Sequence, residues 1–400
     1  MGVSRATRLH RLFSGAAWVV PLSFFPTLAR AAFLAYLIVF LNGKFRLAVD
    51  DIGLFVGSFI LLSSVSSLFF GALLDRWRLR TLMVTSALVQ SMLYMGIFSV
   101  DSLLLVFIFC LVLNLAYLSL ETAVRMCIAQ LFSARDAGSV LSIKYSLTSL
   151  AYAVGPLIGL WLNRQAISPL LFCSVVTLGF TLVAAIPLDL AAVRNFTAAP
   201  HVGLRRVLAI MAGDRRLLLF TLASVFLAGV FGQFTLYLGQ YLMTRHDPAR
   251  MYEIINVVFV TNALVSVGLQ YVIGSRVCIE RMRSWVIACV LMFMIGVIGF
   301  ACSNSLIAWV LFTAVFTVGE IIVQPLEFMY LTRIAPVEMA GAYYSSQNLA
   351  YIGASLTPVV CGFILADLNP IYFLLYLFML LLSAGALLYR AAADLPHGVR

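Results

Sequence analysis

The sequence predicts an all-α membrane protein, with twelve transmembrane helices in two six-helix bundles. Three observations lead there. Of the 400 residues, 63% are hydrophobic and only 10% charged, too little polar cover for a soluble domain. The apolar residues gather in long runs, and a helix needs about 20 of them to cross a hydrocarbon layer roughly 30 Å thick. The basic residues are concentrated in alternate loops, as the positive-inside rule requires of cytoplasmic segments.

Twelve runs are expected near residues 17–41, 52–74, 81–100, 103–127, 139–162, 168–188, 217–243, 252–273, 284–302, 305–332, 340–366 and 369–390. The first follows Arg5, Arg8 and Arg11 as a signal peptide would, but it is too long and contains Arg30, so it is expected to be retained. With the N-terminus inside, eighteen Lys and Arg fall in cytoplasmic loops and five on the opposite side, while Arg30, Arg125 and Lys144 stay within helices. Both termini are therefore expected in the cytoplasm. The net charge of +10 follows from this bias and from anionic lipid, so membrane lipid is an expected partner and nucleic acid is not.

Between helices two and three stands a burst of charge, Gly71 through Arg80, with Asp75 and Arg76 at its centre. Glycine lets helix ends approach closely, and Asp75 can meet an arginine or a helix N-terminus. Helix four carries Glu121 and Arg125, four residues apart in the order that favours pairing on one face. Helix five carries Lys144, read as an interfacial anchor, and Gly155-Pro156-Leu157-Ile158-Gly159, where proline removes a backbone donor and glycines permit close packing. The longest polar interruption, residues 189–216, divides the chain into a bundle over 1–188 and another over 217–400. Between helices eight and nine, residues 274–283 form a second basic hinge without the Asp-Arg pair.

An ionisable group at mid-membrane costs about 2.5–3.5 kcal/mol on insertion scales, so each one retained there needs a watery cavity or a partner. Arg30 lies near the centre of helix one. On helix ten, Thr313, Thr317, Glu320, Gln324 and Glu327 follow helical spacing as one polar stripe, and helix seven repeats it mildly with Gln233, Tyr237 and Gln240. Polar faces thus recur in helices one, four, seven and ten. Arg30, Glu121, Arg125, Gln233, Tyr237, Glu320, Gln324 and Glu327 are the expected substrate- and proton-binding residues. Glu320, midway along its helix, is the first candidate for carrying a proton, since burial disfavours the charged form of a carboxyl. Glu253 is expected at the outer mouth of helix eight, and Tyr36, Tyr117, Phe231 and Tyr237 as apolar walls suited to an amphipathic organic substrate.

The spacing Gly71-x-x-x-Asp75-Arg76-x-x-x-Arg80 resembles the signature loop of major facilitator transporters. Gly155-Pro156-x-x-Gly159 resembles the motif linked in that superfamily to antiport, although Leu160 stands where another glycine usually follows. Thr317 through Pro325, Ile334-Ala335-Pro336 and Gly353 resemble helices ten and eleven of bacterial small-molecule exporters, a branch that includes drug and dipeptide exporters. The resemblance implies a secondary active transporter of the bacterial inner membrane. It would export a small amphipathic molecule, whether a drug, a dipeptide-like metabolite or a siderophore, by proton antiport with alternating access. Gly71, Asp75, Arg76, Arg80, Gly155, Pro156 and Gly159 would be its conformational hinges.

Uptake by proton symport on the same fold is the alternative reading, followed by a nontransporting receptor. An enzyme is disfavoured, because no His-Glu-x-x-His, P-loop or Gly-x-Ser-x-Gly pattern occurs. The seven cysteines stand singly and the four histidines fall in loops or tails, so no metal site and no cofactor is expected. The expected partners are a small organic substrate, protons and lipid, with the protein acting as a monomer.

Overall fold

A computed structural model describes residues 19–47, 49–74, 77–132, 134–185, 204–336 and 339–394, which are helical throughout with short connections and no strand. The spans are α1 (Phe24–Phe45), α2 (Val49–Leu74), α3 (Leu79–Ser99), α4 (Leu103–Leu131), α5 (Ala134–Arg164) and α6 (Pro169–Ala185). They continue with α7a (Arg215–Phe231), α7b (Phe234–Met243), α8 (Pro248–Gly274), α9 (Met282–Cys302), α10 (Leu306–Ile334), α11 (Ala350–Asp367) and α12 (Ile371–Ala393). Short helices over Val19–Leu22 and Ala340–Ser346 lead into α1 and α11, and Leu204–Gly213 precedes α7a. Ten described segments are long and apolar enough to cross a membrane; α7a and α7b make an eleventh as a bent pair, and α6 is a shorter apolar helix.

Helix starts are set by local chemistry. Asp214 caps α7a by accepting from the backbone N–H groups of Arg216 (3.0 Å) and Leu217 (3.4 Å). Asp247 accepts from Arg250 N–H at 3.0 Å, with Pro248 in the first turn of α8 where its missing N–H costs nothing. Ser305 accepts from Ala308 N–H to start α10. Arg250 and Glu253 then pair at 2.5 Å on the exposed first turns of α8.

Two compact units emerge, one comprising residues 1–207 with 336–348, the other residues 208–335 with 349–400. In the first, α1 packs on α5 and α6, α3 on α4 and α6, and α2 on α4. In the second, α7a packs on α11 and α12, α9 on α10 and α12, and α8 on α10. Adding six to each number in the first set reproduces the second.

The repeat extends to single atoms. A Cβ at Gly155 of α5 would lie 3.1 Å from Leu28 O and 2.9 Å from Ala32 N of α1. One at Gly353 of α11 would collide with Val225 O and lie 3.1 Å from Gly229 N of α7a. In both units a glycine on the fifth helix therefore sits over a carbonyl, and over the amide four residues further on, in the first helix. Backbones approach this closely only where the side chain is absent.

Two expectations are corrected. Helix seven is not a single rod over 217–243: α7a and α7b meet at a 45° bend. Gly232 sits where a Cβ would lie 2.6 Å from both Ala228 O and the Ala354 side chain, and Gln233 leaves helical geometry at φ −137°, ψ 36°. The Tyr237 hydroxyl donates to Val230 O at 2.6 Å, bridging the break and satisfying a carbonyl that the lost turn leaves open. Helix α5, expected from 139, starts at Ala134 and runs unbroken through Pro156, although its candidate membrane span begins at Ser139.

Candidate functional site

In the first unit the polar side chains converge on Arg30, which is 4% exposed. Its Nε and Nη2 donate to Asn114 Oδ1 at 3.2 and 3.0 Å, Nη1 donates to the Tyr152 hydroxyl at 2.5 Å, and the guanidinium lies 4.5 Å from the Tyr117 ring centre. Asn114 is fixed in turn by donating to Ser63 Oγ at 2.6 Å. The Thr27 and Tyr117 hydroxyls are 3.5 Å apart. Helices α1, α2, α4 and α5 thus each supply a polar group to one network. The arginine is deep and held by planar acceptors and aromatic faces, geometry that a guanidinium fork fits and an ammonium does not.

Two turns further along α4 lies Glu121. Its partner is Lys144 of α5, in a salt bridge whose side chains are 8% and 2% exposed. Lys144 is therefore buried and paired instead of an exposed anchor, with its ammonium 5.1 Å from the Tyr145 ring. Arg125, one turn beyond Glu121, is also buried.

The second unit carries Glu320 and Glu327, both on α10. Glu320 accepts from Asn262 Nδ2 of α8 at 3.1 Å and from Gln324 Nε2 at 3.2 Å. Asn262 also donates to Thr317 Oγ1 at 3.0 Å, and Thr317 donates to Thr313 O at 2.8 Å. Among the described residues no ion pair reaches Glu320. Among the described residues the Gln324 Oε1 and Thr313 Oγ1 atoms are buried without a hydrogen-bond partner, and a bound molecule can satisfy them. Glu327, seven residues on, turns to α7a and accepts from Ser224 at 2.7 Å. The stripe on α10 therefore serves two neighbours, α8 through Glu320 and α7a through Glu327.

Several expected residues play supporting roles. Gln233 is exposed at the break that starts α7b, whereas Tyr237 is buried and bridges it. Phe231 stacks on Phe293 with ring centres 5.9 Å apart, and Tyr36 lies against Phe40 at 6.0 Å. Around the hinges, a Cβ at Gly71 would clash with the Ser345 side chain, and Arg80 donates to the Ala185 carbonyl. A Cβ at Gly159 would lie 2.7 Å from Ala32 O. Asp75 and Arg76 lie outside the described residues. Among the described residues no group of three or more His, Cys, Asp or Glu could hold a metal ion.

Asn262, Asn114, Ser63 and Tyr152 were not expected from the sequence. Each is an uncharged polar residue in a largely apolar helix, which reads as packing until a charged neighbour is placed beside it. The signal available was their helical spacing: Asn114 precedes Glu121 by two turns on the same face of α4.

Comparison with known proteins gives a consistent picture. Residues 19–358 match the family model described as Major Facilitator Superfamily. The chain is 30% identical over 374 residues to the uncharacterized MFS-type transporter YdeE of Escherichia coli (strain K12), covering 93% of this chain and 94% of that one. Among solved structures, a bacterial homologue of the iron transporter ferroportin in an outward-facing state with soaked iron superposes with a TM-score of 0.74 at 13% identity, covering 98% of this chain and 100% of that one. The transporter FucP in the outward conformation superposes at 0.72 and 16% identity, covering 94% and 97%. At such identities these structures share the fold alone. The match over most of the chain and the YdeE relationship carry the conclusion: this multi-pass membrane protein belongs to the Major Facilitator Superfamily of transporters.

Proposed function

We propose that this protein exports a small amphipathic organic molecule, a drug, a dipeptide-like metabolite or a siderophore, in exchange for protons across the bacterial inner membrane, with both termini cytoplasmic. Residues 1–188 and 217–400 act as two six-helix bundles joined by the 189–216 linker. The observation that carries the proton step is the setting of Glu320, a carboxyl deep in α10 whose donors are both neutral amides. Among the described residues no cation pairs with this carboxylate, and in the proposed cycle it is the group that takes up and releases the proton. A rotation of the Gln324 amide turns its unpartnered Oε1 toward the acid, so this pair accommodates both protonation states.

Substrate recognition falls to Arg30, whose fork can hold an anionic or carbonyl group of the substrate within reach of the Tyr117 and Tyr152 rings. Glu121, Arg125, Gln233, Tyr237, Gln324 and Glu327 are the other residues proposed to bind substrate or protons. Competition of proton and substrate for one state supplies the coupling free energy, and a midplane site exposed alternately to each side supplies the path. Gly71, Asp75, Arg76, Arg80, Gly155, Pro156 and Gly159 are the positions proposed to permit the change of state.

Everted membrane vesicles containing the protein test the exchange. With the lumen acidified by respiration, an exported compound added outside enters as protons leave, so the quenching of an acridine dye is reversed. A symported compound would carry protons inward and leave the quench intact. A panel of drugs, dipeptides and siderophores is expected to include a compound that reverses it, and a panel whose transported members all preserve the quench would contradict antiport.

A further inference from the structure

The basic hinge over residues 274–283 has no part in the transport cycle, yet it ends in a defined arrangement within the second unit. Arg283 lies in the first turn of α9 and Tyr389 near the end of α12, and these two helices pack on each other. Where they meet, the Arg283 guanidinium lies over the Tyr389 ring, 5.0 Å from its centre. Arg390, the next residue of α12, is exposed, and Arg281 stands exposed just before α9.

These cations have no protein counter-charge. Among the described residues neither the Arg283 nor the Arg390 side chain forms an ion pair or a hydrogen bond, and the acids closest in sequence, Glu280 and Asp394, form no ion pair either. A guanidinium whose face rests on an aromatic ring keeps its N–H edge free, and that planar fork suits a phosphate.

The surface next to the arginines suits a hydrocarbon chain. On α9, Arg283, Ile287 and Leu291 are exposed at successive steps of four; on α12, Leu382, Ala386 and Arg390 are exposed at the same spacing. Each helix thus carries its cation at the end of an apolar strip. Between the strips the helices close up at Val290 and Gly385, where a Cβ on the glycine would lie 3.1 Å from Val290 Cγ2. Val290 is seven residues from Arg283, about 10 Å along the helix. At that level α12 presents no side chain, which leaves a shallow furrow leading away from the arginines.

We propose that this furrow binds one anionic phospholipid of the inner leaflet, with its phosphate held by Arg283 and Arg390 and an acyl chain laid along Ile287, Leu291 and Leu382. Basic pockets between membrane helices hold such headgroups on the cytoplasmic side. A zwitterionic lipid brings an ammonium that two arginines repel, so a headgroup of net negative charge is the better match. The choice of leaflet rests on the cytoplasmic orientation proposed above; the site itself is independent of the direction and coupling of transport.

Native mass spectrometry of the purified full-length protein tests it, with phosphatidylglycerol or phosphatidylcholine added to the detergent. Wild type is expected to retain one phosphatidylglycerol in preference to phosphatidylcholine. Arg283→Gln and Arg390→Gln are each expected to weaken retention about fivefold, whereas Tyr389→Phe, which keeps the ring face, and Arg276→Gln, which removes an exposed arginine following α8, leave it unchanged. Phosphatidylglycerol is also expected to raise the melting temperature of wild type more than that of Arg283→Gln/Arg390→Gln.

Wild-type retention by the double variant overturns the proposal. An equal loss in Arg276→Gln does so too, because it would make the attraction one of diffuse charge. Soluble glycerophosphoglycerol, the headgroup without its chains, is expected not to bind measurably; binding as tight as that of the lipid would show a free phosphodiester site and remove the furrow from the account.

Discussion

Arg30 is where the chemistry of one side chain is most exposed to test. Its three bonds to Asn114 and Tyr152 use the planar fork, and its face lies on Tyr117. Arg30→Lys keeps the charge and loses this geometry. Binding of the transported compound is expected to weaken roughly tenfold, about 1.4 kcal/mol, read as a shift in apparent affinity at matched protein level. Unchanged affinity would make Arg30 a structural residue. The charged positions were legible in the sequence because the bilayer makes each of them expensive. Their partners were not: Lys144 was read as an anchor from its place near the end of its apolar run, and only the fold brings it against Glu121 of α4. Asn262 went unnoticed because an uncharged amide in an apolar helix carries no such penalty signal.

Between helices, the decisive contacts are those without side chains. Gly155 of α5 lies over α1, where an added Cβ would fall 2.6 Å from Ala31 Cβ and 2.9 Å from a backbone nitrogen that cannot yield. Gly155→Ala is expected to cost on the order of 1–3 kcal/mol, seen as a lower melting temperature of the purified protein. Gly43→Ala, where nothing lies within 4 Å, is the matched control and is expected to leave that temperature unchanged or higher. Equal behaviour of the two variants would remove close packing as the reason for the glycine. The α7 break marks a different limit of sequence reading. Gly232 and Gln233 stand in a largely apolar run, and only the approach of Ala354 and the Tyr237–Val230 bond reveal that the helix stops there. Tyr237→Phe removes that bond, worth about 1 kcal/mol, and is expected to raise amide hydrogen exchange at Val230 through Phe234. Unaltered exchange would mean the break is held by packing alone.

At the scale of the molecule, the two units repeat one packing plan while their polar chemistry has diverged. Arg30, Arg125 and Lys144 are buried in the first, and the acids Glu320 and Glu327 lie on α10 of the second. The charge bias of the loops predicts that reporter fusions within 189–216 and at the C-terminus both read cytoplasmic; a periplasmic signal at either would overturn the topology. The number of spans and the basic hinges could be read from hydropathy and loop charge, since both follow from bilayer thickness and surface potential. The atomic correspondence of Gly155 with Gly353 could not, because the repeat is preserved in backbone contacts more than in residue identity. The claim on which the functional account depends is that Glu320 exchanges a proton against substrate, and it is tested most directly by Glu320→Gln in proteoliposomes under an imposed pH gradient, with a compound identified by the vesicle assay. The variant is expected to bind that compound and to exchange it for itself, yet to fail to accumulate it against its gradient. Accumulation by Glu320→Gln at the wild-type level, with unchanged proton flux, would contradict the account.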